Sequence, residues 1–182
     1  MRYVVVCAVK GEAGDFNNNL RKELFKNLKA KSSKLPAHFT IKAPFEYDGD
    51  ITELINVLEE VTQKEKITPF KISGYDHFGD RVVYMNVEMS DEGKRVHDKI
   101  IEKMSLVPYI EFDKSDGKDK TFHVTLASKR IRSIYTKVWE YVNQYPCEFE
   151  CLFDNITIYN WDEGTWKVYK EFKFLGSVLN MC

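Results

Sequence analysis

Two short β-type runs of this chain carry the same tripeptide, His-x-Thr. The first is His38-Phe39-Thr40 and the second is His123-Val124-Thr125. Residues i and i+2 of a strand project from the same face. Each run therefore presents an imidazole beside a hydroxyl, while its apolar residues turn the other way into a core. The chain has only four histidines in 182 residues, so two such triplets in similar settings indicate a shared role.

The two runs fall at matching places in a duplicated pattern. Strand, helix, His-x-Thr strand, helix and strand run through residues 3–75 and again through residues 82–153, and residues 155–175 resemble a closing hairpin. Matching elements are offset by about 80 residues. The pattern predicts a single domain over residues 1–182. Its expected fold is α+β, with two similar lobes related by a pseudo-twofold axis that brings the His-x-Thr strands to a central cleft.

Hydrophobic periodicity predicts the remaining elements. Apolar residues recur at helical spacing in 15–30, 51–61 and 131–141, and a further helix opens at Ser90. Asp50 is a suitable N-terminal cap for the second helix. Strands are predicted at 3–9, 70–75, 82–89, 147–153, 156–161 and 166–174.

Composition limits the class of protein and of partner. Hydrophobic residues make up 43% of the chain and the formal net charge is −1. This predicts a folded protein without the basic excess of duplex DNA binders. Residues 3–9 suit a buried strand rather than a signal peptide, and no run approaches the roughly 20 apolar residues of a membrane span. Cys7, Cys147, Cys151 and Cys182 lack metal-binding spacing, so we expect reduced thiols in a cytoplasmic protein without a membrane association.

Two histidines flanking one phosphorus atom can divide acid–base work. A neutral imidazole removes a proton from the attacking oxygen, and a protonated one donates to the leaving oxygen. The hydroxyls of Thr40 and Thr125, on the same faces, can donate hydrogen bonds to phosphate oxygens. Such an arrangement breaks a phosphodiester without a metal. A metal site built on His38 and His123 is disfavoured, because no Asp, Glu or Cys stands in either motif at ligand spacing.

These motifs and their spacing resemble those of the 2H phosphoesterase superfamily, which includes 2′-5′ RNA ligase-like proteins and 2′,3′-cyclic phosphodiesterases. The resemblance rests on His38-Phe39-Thr40-Ile41, His123-Val124-Thr125-Leu126 and the closing hairpin, and it spans nearly the whole chain. It implies that His38 and His123 are the catalytic acid–base pair and that Thr40 and Thr125 contact the substrate phosphate.

The resemblance also implies the function. We expect a metal-independent hydrolase, without a cofactor, that acts on 2′,3′-cyclic phosphate RNA ends or small cyclic nucleotides, with possible reversal as a 2′-5′ RNA ligase and a role in RNA processing. The alternative is a non-catalytic module that binds a phosphorylated ligand or an RNA end. His123 is our preferred base and His38 our preferred acid, although the two are nearly equivalent in sequence.

Several other residues have both a structural and a functional interpretation. His77 and His97 are predicted to be surface residues, and the mixed charges of residues 114–120 indicate a solvated loop. Lys42 and Lys129 are possible phosphate contacts. A nucleobase pocket could use the aromatic residues Phe45, Tyr47, Tyr159 and Trp161, although packing in the core is an equally good explanation for each.

Overall fold

The computed structural model describes residues 1–113 and 116–176, which form eight strands and four α-helices. Cys182 and residues 114–115 of the predicted loop lie outside the described residues. A short 3₁₀ turn, Arg132–Ile134, precedes the last helix. In chain order the elements are β1 (Arg2–Ala8), α1 (Gly11–Leu28), β2 (His38–Glu46), α2 (Thr52–Thr62), β3 (Thr68–Phe78), β4 (Val82–Met89), α3 (Asp91–Met104), β5 (His123–Ala127), α4 (Tyr135–Val142), β6 (Glu148–Phe153), β7 (Asn155–Asp162) and β8 (Thr165–Lys173).

The strands form two four-stranded antiparallel sheets. Their orders are β2-β1-β7-β8 and β5-β4-β3-β6, with every pairing antiparallel. The His-x-Thr strand is the edge strand of each sheet, and the two edges, β2 and β5, lie against each other. The predicted two-lobed α+β class is thus confirmed. The sheets do not follow the halves of the sequence, because β3 pairs with β4 and β6 of the second sheet.

The alternation of side chains along β2 and β5 anchors these two strands to the core. Phe39 and Ile41 are fully buried, and so is Val124. The Phe39 ring makes edge-to-face contacts with Phe70 and Phe153 of the other sheet, at centroid distances of 5.6 and 5.1 Å. Aromatic pairs of this geometry stabilise packing beyond the area that they bury. The residue between His38 and Thr40 therefore holds the two lobes together.

Local signals account for the helix boundaries. The Ser90 hydroxyl accepts a hydrogen bond from the Gly93 amide at 3.0 Å and caps α3. Asp50 accepts from the Thr52 amide at 2.8 Å at the start of α2. Helix α1 begins at Gly11, earlier than the apolar spacing predicts. A side chain at Gly14 would lie 2.2 Å from the Val9 carbonyl oxygen, so the first turn of α1 packs directly on the preceding backbone.

The prediction that His97 is a surface residue is wrong. His97 is fully buried on the face of α3 that carries Ile100, Ile101 and Met104. Its neighbours Lys94, Arg95 and Asp98 made the segment look exposed in the sequence. Position 97 is nevertheless three, four and seven residues from those apolar side chains, which is the spacing of one helix face. His77 is exposed as predicted.

Two further properties bear on the sequence predictions. Cys7, Cys147 and Cys151 are free thiols. Within the described ranges, no helix has the length and apolarity needed to cross a bilayer.

Candidate functional site

The structure brings the four predicted side chains to one cleft between the edge strands. His38 and His123 are the first residues of β2 and β5. A cavity of about 340 Å³ is lined by His38, Thr40 and Thr125. A second cavity, of about 380 Å³, is lined by His123 and Thr40. Thr40 is common to both, so the two cavities are neighbouring parts of one cleft.

Both imidazoles are fixed in the same way. The Nδ1 atom of His38 lies 2.6 Å from the Pro36 carbonyl oxygen, and Nδ1 of His123 lies 2.9 Å from the Thr121 carbonyl oxygen. A carbonyl can only accept, so Nδ1 carries the hydrogen in each ring. The lone pair of a neutral ring is then on Nε2. In each case the partner lies two residues before the histidine, so the two lobes repeat the hydrogen bond as well as the motif.

The surroundings of the histidines favour their neutral forms. The pKa of His38 is lowered from 6.5 to about 4. Burial is the main cause, the hydrogen bond to Pro36 opposes it, and the charges of Arg21 and of a protonated His123 add smaller contributions. Burial likewise lowers the pKa of His123, where the hydrogen bond to Thr121 opposes it and the Lys120 charge adds to it. At neutral pH both rings are therefore uncharged in the free protein. A bound anion would raise both pKa values.

The threonine hydroxyls are available to a ligand. Within the described residues neither Thr40 nor Thr125 uses its hydroxyl in a hydrogen bond with another residue, whereas their backbone carbonyls are bonded. Lys120 donates through Nζ to the Thr40 carbonyl at 2.7 Å, and Asn17 donates to the Thr125 carbonyl at 3.3 Å. These bonds fix the strand positions of the two threonines and leave their side chains facing the cleft.

Sequence reasoning did not identify Arg21, which organises the segment before His38. From α1, Arg21 donates through Nε to the Ser32 hydroxyl at 2.7 Å and through Nη1 to the Leu35 carbonyl at 2.8 Å, and it also donates to the Ser33 carbonyl. An arginine has five donors in a fixed planar fork. Arg21 therefore fixes three points of the loop that leads into the first motif. In the sequence, only the length and the positive charge of the Arg21 side chain indicated such a role.

The expected role of Lys42 as a phosphate contact is wrong, as is the expectation that residues 114–120 form only a solvated loop. Lys42 Nζ lies 2.6 Å from Oδ2 of Asp116, and both side chains are almost completely buried. Oδ1 of Asp116 accepts from the Ala43 amide at 3.0 Å. The described part of the loop therefore closes over β2, and Lys120 follows it into the cavity that contains His123. Lys129 lines the cavity that contains His38, so its predicted position near the site stands.

One of the four predicted aromatic candidates lines the cleft. Trp161 lines it together with Trp166. Lys34 Nζ lies 5.6 Å from the Trp161 ring centroid and the Arg2 guanidinium 5.7 Å from the Trp166 centroid. The others pack elsewhere: Tyr47 stacks on Tyr109, Phe45 contacts Tyr3, and Tyr159 is buried in a small cluster with Val4 and Val6. The cleft therefore combines two indole rings with a cation near the face of each. In the described part of the chain, no cluster of His, Cys, Asp and Glu has the arrangement needed to hold a metal ion.

Comparisons with known proteins agree with this architecture. The sequence model of the 2′-5′ RNA ligase superfamily matches residues 15–165, which include both His-x-Thr motifs. A search of curated proteins finds no match.

Solved structures share the fold at low sequence identity. TT0787 of Thermus thermophilus has a TM-score of 0.65 and 15% identity, over 96% of this chain and 98% of its own. E. coli LigT complexed with NADP⁺ has a TM-score of 0.62 and 11% identity, over 95% of this chain and 97% of its own. E. coli LigT has also been solved with 3′-AMP, with a TM-score of 0.60 and 11% identity, over 96% of this chain and 98% of its own.

Proposed function

The chain belongs to the 2′-5′ RNA ligase superfamily of 2H phosphoesterases, and from this we propose that it is a metal-independent phosphodiesterase that opens 2′,3′-cyclic phosphates. Its substrates are RNA ends or small cyclic nucleotides. The observation that carries the proposal is the pair of imidazoles in one cleft, each held by an identical Nδ1 hydrogen bond. The two together can supply the base and the acid of one displacement at phosphorus.

The reaction proceeds by attack of water on phosphorus. One Nε2 accepts a proton as the water oxygen bonds to phosphorus, and the other imidazole gives its proton to the ribose oxygen as the bond between that oxygen and phosphorus breaks. The hydroxyls of Thr40 and Thr125 donate to the non-bridging oxygens, where negative charge accumulates. The phosphate itself raises the histidine pKa values and so retains the proton that the acid needs.

We assign His38 as the acid and His123 as the base in hydrolysis. In the free protein burial lowers the pKa of His38 to about 4, so a protonated His38 gives up its proton readily once the bound phosphate has allowed that form to accumulate. When a 5′-hydroxyl of a second RNA replaces the water, the same displacement joins the two ends through a 2′-5′ bond and His123 and His38 keep these roles; microscopic reversibility exchanges them when that bond is cleaved back to the cyclic phosphate.

The size of the cleft and its aromatic lining support a nucleotide substrate. Trp161 and Trp166 present indole surfaces on which a base can stack. The E. coli LigT structures named above contain NADP⁺ and 3′-AMP, which are small nucleotides with phosphorylated ribose. We extend that class of ligand to this chain as part of the proposal.

A second candidate function is a binding module for a phosphorylated ligand. The observation that favours it is that burial leaves both histidines neutral in the free protein at neutral pH, a state that lacks the proton donor of the catalytic scheme.

Turnover separates the two functions. Purified protein incubated with 2′,3′-cyclic nucleotides and short RNAs ending in a cyclic phosphate should release the opened monophosphate. The rate should not change when a chelator is added at roughly millimolar concentration. Binding without product over the whole substrate panel would establish the binding module instead.

A further inference from the structure

A third cavity opens beside the cleft, next to the cavity that contains His38. Its volume is about 780 Å³, the largest of the described cavities. It shares Ser33, Lys34, Leu35 and Lys129 with the cavity that contains His38. The two are therefore continuous, and a ligand held at the histidines can extend into the larger space. We call this space the Phe25 groove; it lies between α1 and the segment that follows it and is also lined by Lys22, Phe25 and Lys31.

The charge of the Phe25 groove is unbalanced. Lys22, Lys31, Lys34 and Lys129 line it, and no Asp or Glu does. On other faces many lysines have a carboxylate within 4 Å, for example Lys64, Lys71, Lys99 and Lys167. In the described ranges none of the four groove lysines has one. A chain whose formal net charge is −1 thus concentrates uncompensated positive charge along one path that leads to the catalytic cleft.

The groove also carries an exposed aromatic ring. Phe25 projects from α1 with 49% of its surface exposed. Lys31 and Lys29 hold their Nζ atoms 5.8 and 5.7 Å from its ring centroid. An aromatic face flanked by cations is the combination by which proteins hold single-stranded nucleic acid, because bases stack on the ring and phosphates meet the lysines.

We infer that the Phe25 groove binds the single-stranded RNA that precedes the terminal ribose, so that the preferred substrate is an oligonucleotide rather than a mononucleotide. The inference rests on the proposed function, because it places the terminal phosphate at His38 and His123. The other end of the cleft is less suited to the chain: among the residues that line the cavity with His123, Asp119 opposes the charge of Lys120, and Asp116 is paired with Lys42.

Substrate length provides the test. We would measure kcat/KM for a 2′,3′-cyclic mononucleotide and for unstructured RNAs of two, four and six nucleotides that end in a cyclic phosphate. Wild-type kcat/KM should rise at least about tenfold between the mononucleotide and the longer RNAs. Lys22→Ala and Lys31→Ala should each reduce the salt dependence of kcat/KM for the longer RNAs by about 0.7 in log–log slope. Phe25→Ala should lower their kcat/KM about tenfold.

None of these three side chains lines the cavity that contains His38 or the cavity that contains His123, so the mononucleotide rate should be unchanged. Lys137→Ala is the matched control: it removes an exposed lysine on α4 that lines none of the three cavities described above. A wild-type kcat/KM independent of length would overturn the inference while leaving the proposed function intact. An equal loss in Lys137→Ala, or an equal loss on the mononucleotide, would also overturn it.

If no cyclic phosphate is opened, the proposed function fails and the groove is tested by binding alone. Fluorescence anisotropy with a labelled RNA hexamer carrying a 3′-phosphate then decides. Weaker binding in Lys22→Ala, Lys31→Ala and Phe25→Ala, but not in Lys137→Ala, supports the groove. Equal binding by all four variants and the wild type rules it out.

Discussion

At the scale of single residues, the site depends on two imidazoles whose hydrogen bonds match and whose surroundings differ. Burial, with a smaller contribution from the charge of Arg21, lowers the pKa of His38 to about 4. The pKa of His123 is also lowered, with Lys120 as the neighbouring cation. The duplicated motif thus supplies two equivalent groups with different charged neighbours. The roles that we propose for them, His38 as the acid and His123 as the base, can be tested by substitution.

Removing each histidine should therefore have a different effect on substrates with different leaving groups. His38→Ala and His123→Ala should each lower kcat on a ribose cyclic phosphate by about 10²–10⁴, and the double variant should fall little further because acid and base act as a unit. The leaving group of a p-nitrophenyl phosphodiester needs no proton. On that ester the kcat of His38→Ala should be close to that of the wild type, whereas the kcat of His123→Ala should remain low. The measurement is steady-state kinetics on both esters.

The opposite pattern of recovery would exchange the two roles, and full activity of either variant on the cyclic phosphate would refute the mechanism. Near-unchanged melting temperatures would show that the fold survives both substitutions.

At the scale of elements, the described part of the 114–120 loop is a structural strap. Asp116 joins it to β2 through the Lys42 ammonium and the Ala43 amide, and Lys120 then bonds the Thr40 carbonyl. The strap therefore holds the backbone at the last residue of the first motif and just after it. Breaking a buried ion pair from one side is costly, because it leaves an uncompensated charge in the interior.

Asp116→Asn tests the strap, since the amide keeps an oxygen for Ala43 and loses only the charge. We expect the free energy of unfolding to fall by about 3–5 kcal/mol. Adding Lys42→Met should restore part of it, because the unpaired ammonium is then gone. Urea denaturation of the two single variants and the double variant measures the coupling. Glu102→Gln is the control, since it breaks the exposed pair with Lys118 in the same loop and should cost about 1 kcal/mol or less. Additive single effects would show that the pair is not coupled.

At the scale of the whole molecule, the sequence predicted the helices and strands whose apolar residues recur periodically. It missed the contacts between residues that are far apart in the chain. Alternation in β2 and β5 and helical spacing in α2 and α3 identified those elements, and the repeated motif indicated a shared cleft. Periodicity cannot show that Lys42 finds Asp116, 74 residues away, or that Arg21 bonds the loop before His38. It also could not show that β3, from the first half of the chain, completes the second sheet. Those contacts exist only once the lobes have docked.

The folded molecule also buries histidines that the unfolded chain exposes to water. His97 is fully buried, its ring nitrogens have no hydrogen-bond partner among the described residues, and its ring packs edge-to-face against Phe122, with centroids 4.8 Å apart. Burial, together with a smaller contribution from the Lys120 charge, lowers its pKa from 6.5 to about 3. Together with His38 and His123 it makes three histidines that stay neutral in the fold at a pH where the unfolded chain binds protons.

These three histidines should make the protein less stable in mild acid. Above about pH 6.5 they are neutral in both states and contribute no pH dependence. As the pH falls below 6.5, the unfolded state takes up protons that the folded state does not. Each histidine then lowers the free energy of unfolding by up to about 1.4 kcal/mol per pH unit, until the pH reaches its own folded pKa. For His38 that limit is about 4 and for His97 about 3.

His97→Leu isolates one of these contributions. Leucine fills a similar space and gives up no hydrogen bond, so stability at pH 8 should be equal or higher. Between pH 6.5 and pH 5 the unfolding free energy of His97→Leu should fall less steeply than that of the wild type. The two slopes should differ by about 1.4 kcal/mol per pH unit at most. Urea denaturation at half-unit steps gives both slopes, and this window lies above the range in which most carboxylates titrate. Parallel slopes for the two proteins would mean that His97 is protonated in the fold, contrary to its buried position beside Phe122 and Lys120.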